Sequence, residues 1–238
     1  MAISQTNGYH VVLELSAARI APIINSFIPD PFDVSVSGVN ISTSSIAGRP
    51  MQVQIQAGNH FVITAVRRVS VLSFNFVIRI GLTAVVNVNP SGSFILSFPT
   101  PATITGDTAA DNAIIDRLVL LIRLLPGRSG TTSISLLGEA ATALMNALSA
   151  ISLPTIPVRT SFSTHPCAPV VREFSIHTIN NSAFILVQLS GGGMPTPVTN
   201  PAAFTTSLRG TSESVLLIAN ESLLAMATCF ASMDPSSP

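Results

Sequence analysis

From Val11 to Ile28 the chain reads VVLELSAARIAPIINSFI, and its apolar positions change period partway along. Val11, Leu13 and Leu15 alternate with Val12 and Glu14, which predicts a short strand. Ile20, Ile23, Ile24 and Phe27 then recur at spacings of three and four, the stripe of an amphipathic helix. Ser16 stands at the junction, with a side-chain oxygen suited to cap a first helical turn. Pro22 lacks an N–H and predicts a kink or a late helix start. Pro29 and Pro31 end the element. The same order returns at Ser214 to Met233, SVLLIANESLLAMATCFASM. There Asn220 is a candidate cap, Glu221 falls in the first turn, and Leu223, Leu224, Ala227 and Phe230 form the stripe. Strand-then-helix is a common unit, so the recurrence reads as a repeat or as coincidence.

Between these ends the period is mostly two. Asp33 to Thr43 alternates and predicts one strand. Met51 to Ala57 sets Val53, Ile55 and Ala57 against Gln52, Gln54 and Gln56, and Gly58-Asn59 then signals a turn. His60 to Arg67 predicts the second arm of that hairpin. Val69 to Ile80 predicts a longer strand, with Leu72, Phe74, Phe76, Ile78 and Ile80 on one face. A strand of that length spans about 40 Å. Leu82 to Val88 continues the run beyond a bend at Gly81, Asn89 to Gly92 is a turn, and Ser93 to Phe98 returns. The period then lengthens. Ile114, Leu118, Leu121, Ile122 and Leu125 predict a helix over 107–125, with Asp107 and Asp111 early and Arg123 late, as the helix dipole favours. Ser135 to Ile151 predicts a second helix. Strands are predicted over 156–163, 170–179 and 183–189, the last two joined at Asn180-Asn181. Residues 191–212 form a Gly/Pro-rich loop, a lid, linker or flexible crossover. The fold class that results is α+β, a long antiparallel sheet with amphipathic helices. The whole of 1–238 reads as one domain, with 213–238 either closing it or opening a second repeat.

Charge changes this picture more than hydrophobicity does. Hydrophobic residues make up 47% of the 238, within the usual range, but charged residues only 9%, against a typical quarter. The surface must therefore be covered by Ser, Thr, Asn and Gln, or buried in partners or lipid. Eleven basic residues, all Arg, balance eleven acids. Without a basic excess, attraction to nucleic acid is unsupported. The N-terminus shows neither a basic n-region nor an apolar h-region, and no stretch reads as a transmembrane helix, so a cytoplasmic protein is expected, with export by another route as the alternative. With no Trp and one Tyr, the aromatic girdles of a membrane barrel are also missing.

Candidate chemistry is sparse. No Walker-type phosphate loop or GxSxG elbow occurs, and Gly191 to Gly193 precede Met194-Pro195 instead of a helix. His165, Cys167, His177 and Cys229 match no zinc spacing, so no metal is expected, and Cys167 and Cys229 could pair but are expected as free buried thiols. Asp30 with Asp33, and Asp107 with Asp111, are explained by capping more simply than by acid–base catalysis. No catalytic constellation and no cofactor are expected. What remains is apolar surface. A curved sheet closing on helices can pack solidly, as protein interiors normally do, or leave an internal apolar channel.

VLELSAARIAPIINSF, the meander of long strands, and LLGEAATALMNALSAISLPTIPV (Leu136 to Val158) together resemble the TULIP superfamily, the tubular lipid-binding group. It includes bactericidal/permeability-increasing domains and relatives encoded in clostridial neurotoxin clusters. The resemblance covers most of residues 9–233, as architecture instead of a strict motif. It implies a highly curved sheet around a long helix, an apolar tunnel for lipid or another hydrophobic small molecule, and no catalytic residues. Ile20, Ile24, Phe27, Phe74, Phe76, Ile78, Leu118 and Leu121 are the candidate lining residues, each with ordinary core as its alternative. The disulfide of the bactericidal type is not expected, because Cys167 and Cys229 lie in other kinds of segment. Peripheral membrane contact and homo- or hetero-oligomers remain open. The rival expectation is a β-rich structural or interaction subunit of a larger assembly, with no small-molecule ligand.

Overall fold

The structure is a computed structural model that describes residues 6–26, 28–36, 39–89, 92–150, 167–191 and 194–231. Along them the order is β1 (Val11–Ser16), α1 (Ala17–Ser26), β2 (Phe32–Val36), β3 (Val39–Ser45), β4 (Gln52–Gln56), β5 (His60–Val71), β6 (Phe74–Val88), β7 (Phe94–Ser97) and β8 (Thr103–Gly106). Then follow α2 (Ala109–Ile122), α3 (Ser133–Ser149), β9 (Val170–Ile179), β10 (Ser182–Ser190), a 3-10 turn (Pro201–Ala203), β11 (Ser214–Ile218) and α4 (Asn220–Ala231). The class is α+β, as expected, with a strongly curled antiparallel sheet. The strand expected over 156–163 and the stripe residue Phe27 lie outside the described residues.

The spine is the β5–β6 hairpin, of 12 and 15 residues. At the usual rise β6 spans about 50 Å. Each strand carries two partners in tandem on its outer edge. Along β5, β4 pairs with His60 to Thr64 and β3 with Arg67 to Ser70. Along β6, β8 pairs with Ile78 to Gly81 and β7 with Val85 to Val88. β6 runs unbroken through Gly81, where a β-carbon would lie 2.8 Å from Thr103 Oγ1.

Two expected strands prove to be hairpins. The run 33–43 turns between Val36 and Val39, which are cross-strand partners. The run 69–80 turns at Leu72-Ser73, between the partners Val71 and Phe74. Both turns shift the parity of the apolar face by one. Leu72 takes φ 52°, a conformation that leucine rarely adopts and that its identity does not signal, which explains why this break is hard to see.

The inward face of the sheet carries Phe61, Ile63, Val69 and Val71 from β5 and Phe76, Ile78, Ile80, Leu82 and Ala84 from β6, all buried. The helices α2 and α3 cover part of it. Each begins with a reciprocal capping box, Thr108 with Asp111 and Thr132 with Ser135. Asp111 also accepts from Val77 N at 2.8 Å, fastening α2 to β6. The run IIDRLVLLIRLL allows several stripes, and packing selects Ile115, Leu118, Val119 and Ile122. Leu121 and Leu125 from the expected stripe are 43% exposed. Asp107 lies before the helix and instead pairs with Arg49 and Arg79.

A second sheet has the order β11-β1-β10-β9. Within β1, Val12, Glu14 and Ser16 are the buried set, so the polar phase faces inward on that side. They meet the Pro-rich segment after β10, which is tied down along its length and is no open linker. His177 Nε2 lies 3.1 Å from Phe204 O, Gln188 Nε2 donates to Pro197 O, and Phe204 packs among Tyr9, Phe184 and Leu186. Fully buried Glu14 accepts from Ser207 Oγ, Leu208 N and Arg209 N at 2.6, 2.7 and 3.0 Å. Its charge is further met by Arg209 at 3.6 Å.

The expectation of two free thiols is overturned. Cys167 and Cys229 form a disulfide with Cα atoms 5.8 Å apart. The reason is tertiary. Ala225 and Met226 of α4 pack on Val171, Phe174, Leu189 and Met194, which brings the helix to the start of β9.

Candidate functional site

The helix α1 is the local anomaly. Ser16 Oγ accepts from Arg19 N at 3.3 Å and caps it, and Pro22 sits inside it. It is strongly amphipathic, yet none of its ten residues is buried. Ile20 and Ile24 touch the core cluster at its edge, and with Ile23 they also border open space. Ile20, Ile23, Ile24 and Ile28 form one wall of a cavity of about 250 Å³. Phe61, Ile63, Leu82, Ala84 and Val86 form the floor, Phe94, Leu96 and Phe98 a side, Leu148 an end, and Leu15, Ile176, Ala183 and Ile185 of the second sheet the rest. Every lining residue is apolar.

A larger cavity, about 470 Å³, adjoins it and shares Ile28, Ile63, Leu82 and Leu148 as common wall. That size falls in the ordinary range for small-molecule sites. Its lining is mixed, with Asn25, Thr43, Ser45, Arg49 and Arg67 beside Met51, Ile80 and Leu144. A third space of about 50 Å³ continues from it past Phe32, Thr43, Ile80 and Leu144, toward α2.

Of the residues expected to line a channel, Ile20 and Ile24 border the apolar cavity. Phe76, Ile78 and Leu118 border the narrow space. Phe74 packs against the core cluster, Leu121 is exposed, and Phe27 lies outside the described residues. The sequence reading missed Arg67. The inward positions of β5 run Phe61, Ile63, Ala65, Arg67, Val69, Val71, so the signal was an Arg on the apolar parity.

The polar groups elsewhere are mostly structural. Leu189 N donates to His10 Nδ1 at 3.1 Å, so Nε2 carries the proton and donates to Pro195 O at 3.0 Å. Burial holds the His10 pKa below its ordinary value. Bonds from Ser45 depress the Asp30 carboxyl, Arg49 and then Arg79 depress Asp107, and Thr108 and Val77 N depress Asp111. Among the described residues no group of three or more His, Cys, Asp or Glu is placed to hold a metal ion. Among them, too, no helix is long and apolar enough to cross a membrane.

No family model matches the sequence. No curated protein matches it either. Among solved structures the chain is similar to a lipopolysaccharide binding protein, at 12% identity and a TM-score of 0.47, covering 89% of this chain and 57% of that one. It is also similar to P47 from Clostridium botulinum A2, at 14% identity and a TM-score of 0.43, covering 90% of this chain and 52% of that one. The chain thus spans a little over half the length of each, and no residue role passes from either to it. The α+β architecture rests on this chain's own strands and helices.

Proposed function

We propose that the chain binds a lipid or another hydrophobic ligand, without catalysis, in the cavity beneath α1. The observation that carries this reading is an amphipathic helix whose isoleucines face a wholly apolar space. Water gains little from such walls, and each buried methylene of a ligand contributes roughly 0.8 kcal/mol. The test is native mass spectrometry of the protein as purified, with organic extraction of bound material, beside the Leu96→Trp variant. Bound lipid at a defined ratio, lost in a folded Leu96→Trp protein, is the expected result. An apo wild type that takes up no added lipid overturns the reading. So does a Leu96→Trp protein that fails to fold, since the space was then packed core.

A second reading, a subunit of a larger assembly, is favoured by one patch. The edge strand β11 exposes Leu216 and Ile218, and α4 exposes Leu223 and Leu224 beside it. A defined oligomer free of lipid in the same spectrum would support it.

A further inference from the structure

Arg67 is the one charged side chain on the inward face of the β5–β6 hairpin, at a position where the strand's period calls for an apolar residue. Its side chain is 9% exposed, and it forms part of the wall of the 470 Å³ cavity. All its hydrogen bonds leave from Nη2, to Pro29 O at 3.4 Å, Asp30 Oδ1 at 3.1 Å and Thr43 O at 3.4 Å. A guanidinium has five donors. Among the described residues neither Nε nor Nη1 makes a hydrogen bond. The counter-ion Asp30 does not line the cavity. It is 43% exposed and also accepts from Ser45 N and Ser45 Oγ. The pair is therefore unequal, with the carboxylate half-exposed and the guanidinium buried in the cavity wall.

We propose that the two adjoining cavities take an amphiphile with an anionic head, carboxylate or phosphate, its oxygens at Arg67 and its hydrocarbon chain along Ile20 and Ile24. This rests on the ligand-binding reading above and assigns the ligand's class and direction. A buried guanidinium with open donors favours an anionic oxygen through charge-assisted bonds, which are about twice as strong as neutral ones. Ile63, Leu82 and Leu148 border both spaces, so the head position at Arg67 lies beside the apolar space.

Delipidated full-length protein is titrated with palmitate, 1-palmitoyl lysophosphatidate and uncharged 1-palmitoylglycerol, which share one acyl chain. At least one anion is expected to bind about tenfold tighter than the neutral lipid, and the tighter of the two identifies the head. Arg67→Gln should bring the anions down to the neutral level. Asp30→Asn, at a half-exposed position, should widen the gap by removing the competing carboxylate, and it serves if Arg67→Gln does not fold. Equal binding of all three ligands, or an anion preference that survives Arg67→Gln or shrinks in Asp30→Asn, overturns the inference and leaves the cavity reading intact. Binding of none of them overturns the cavity reading itself.

Discussion

The hydroxyl of Thr178 lies 2.6 Å from the backbone nitrogen of Asn59, accepts its hydrogen, and donates in turn to Gln56 O at 2.6 Å. One side chain of β9, 1% exposed, thereby joins the second sheet to the turn between β4 and β5. Asn59 Nδ2 to Ile176 O and Asn181 N to Ile55 O complete the seam. Thr178→Val keeps the shape but leaves a buried N–H and C=O without partners. It should lower stability by about 2 kcal/mol. Urea unfolding checks the loss, and faster hydrogen exchange at Asn59 would place it at the seam. An unchanged midpoint would show that water replaces the hydroxyl.

Leu72 opens the two-residue turn of the longest hairpin at φ 52° and is 70% exposed. A left-handed conformation costs a non-glycine residue about 1–2 kcal/mol. Leu72→Gly should therefore raise stability, by on the order of 1 kcal/mol after the entropy cost of glycine. The thermal midpoint measures this, and a lower value would mean that the leucine side chain makes stabilising contacts.

The Cys167–Cys229 bond closes a loop 62 residues long. The chain-entropy account assigns such a loop about 4 kcal/mol, and native disulfides commonly deliver 2–4 kcal/mol. Cys229→Ser should cost about 3 kcal/mol and release α4 first, seen as early exchange over 220–231. Disulfides persist in oxidising surroundings and are rare in cytosolic proteins. Thiols trapped in intact cells should therefore remain unlabelled in the wild type. Full labelling would show that the pair is reduced where the protein works.

Acid should destabilise the fold in two stages. His10 is pushed below its ordinary pKa, chiefly by burial. Its contribution is thus complete above the unfolded value of about 6.5 and is lost as pH falls below it. Asp30, Asp107 and Asp111 are held low, mainly by side-chain bonds from Ser45, Arg49 and Thr108 respectively. Their contribution is present above the unfolded value of about 3.9 and is lost below it. Urea midpoints from pH 8 to pH 3 should fall first through pH 6 and again under pH 4, and His10→Gln should flatten the first step. A wild-type curve level through pH 6 would mean that His10 protonates without cost.

Much of the fold was legible in local pattern. Ser16 as a cap, the strand from Gln52 to Gln56, the turns at Gly58-Asn59 and Asn181, and both central helices follow from period and capping chemistry, which act over a few residues. The hairpin turns were also encoded, as parity shifts between Val36 and Val39 and between Val71 and Phe74, but no Asn-Gly marked either. Within α2, a nearly continuous apolar run left the buried stripe undecided until β6 and β8 took one side of it.

The sequence by itself determined that this chain forms α+β elements with long antiparallel strands, little charge and much apolar surface, because alternation and helical period are local properties. Tertiary structure alone decided the rest. It brought Cys167 to Cys229 across 62 residues, and it buried Glu14 beneath Arg209. It also left the isoleucines of α1 only partly buried at the edge of a space while Leu118 was fully buried, since how completely an apolar side chain is covered depends on segments far away in the chain. Arg67 belongs to both levels: its parity is written in β5, but only the curl of the sheet turns that parity toward a cavity.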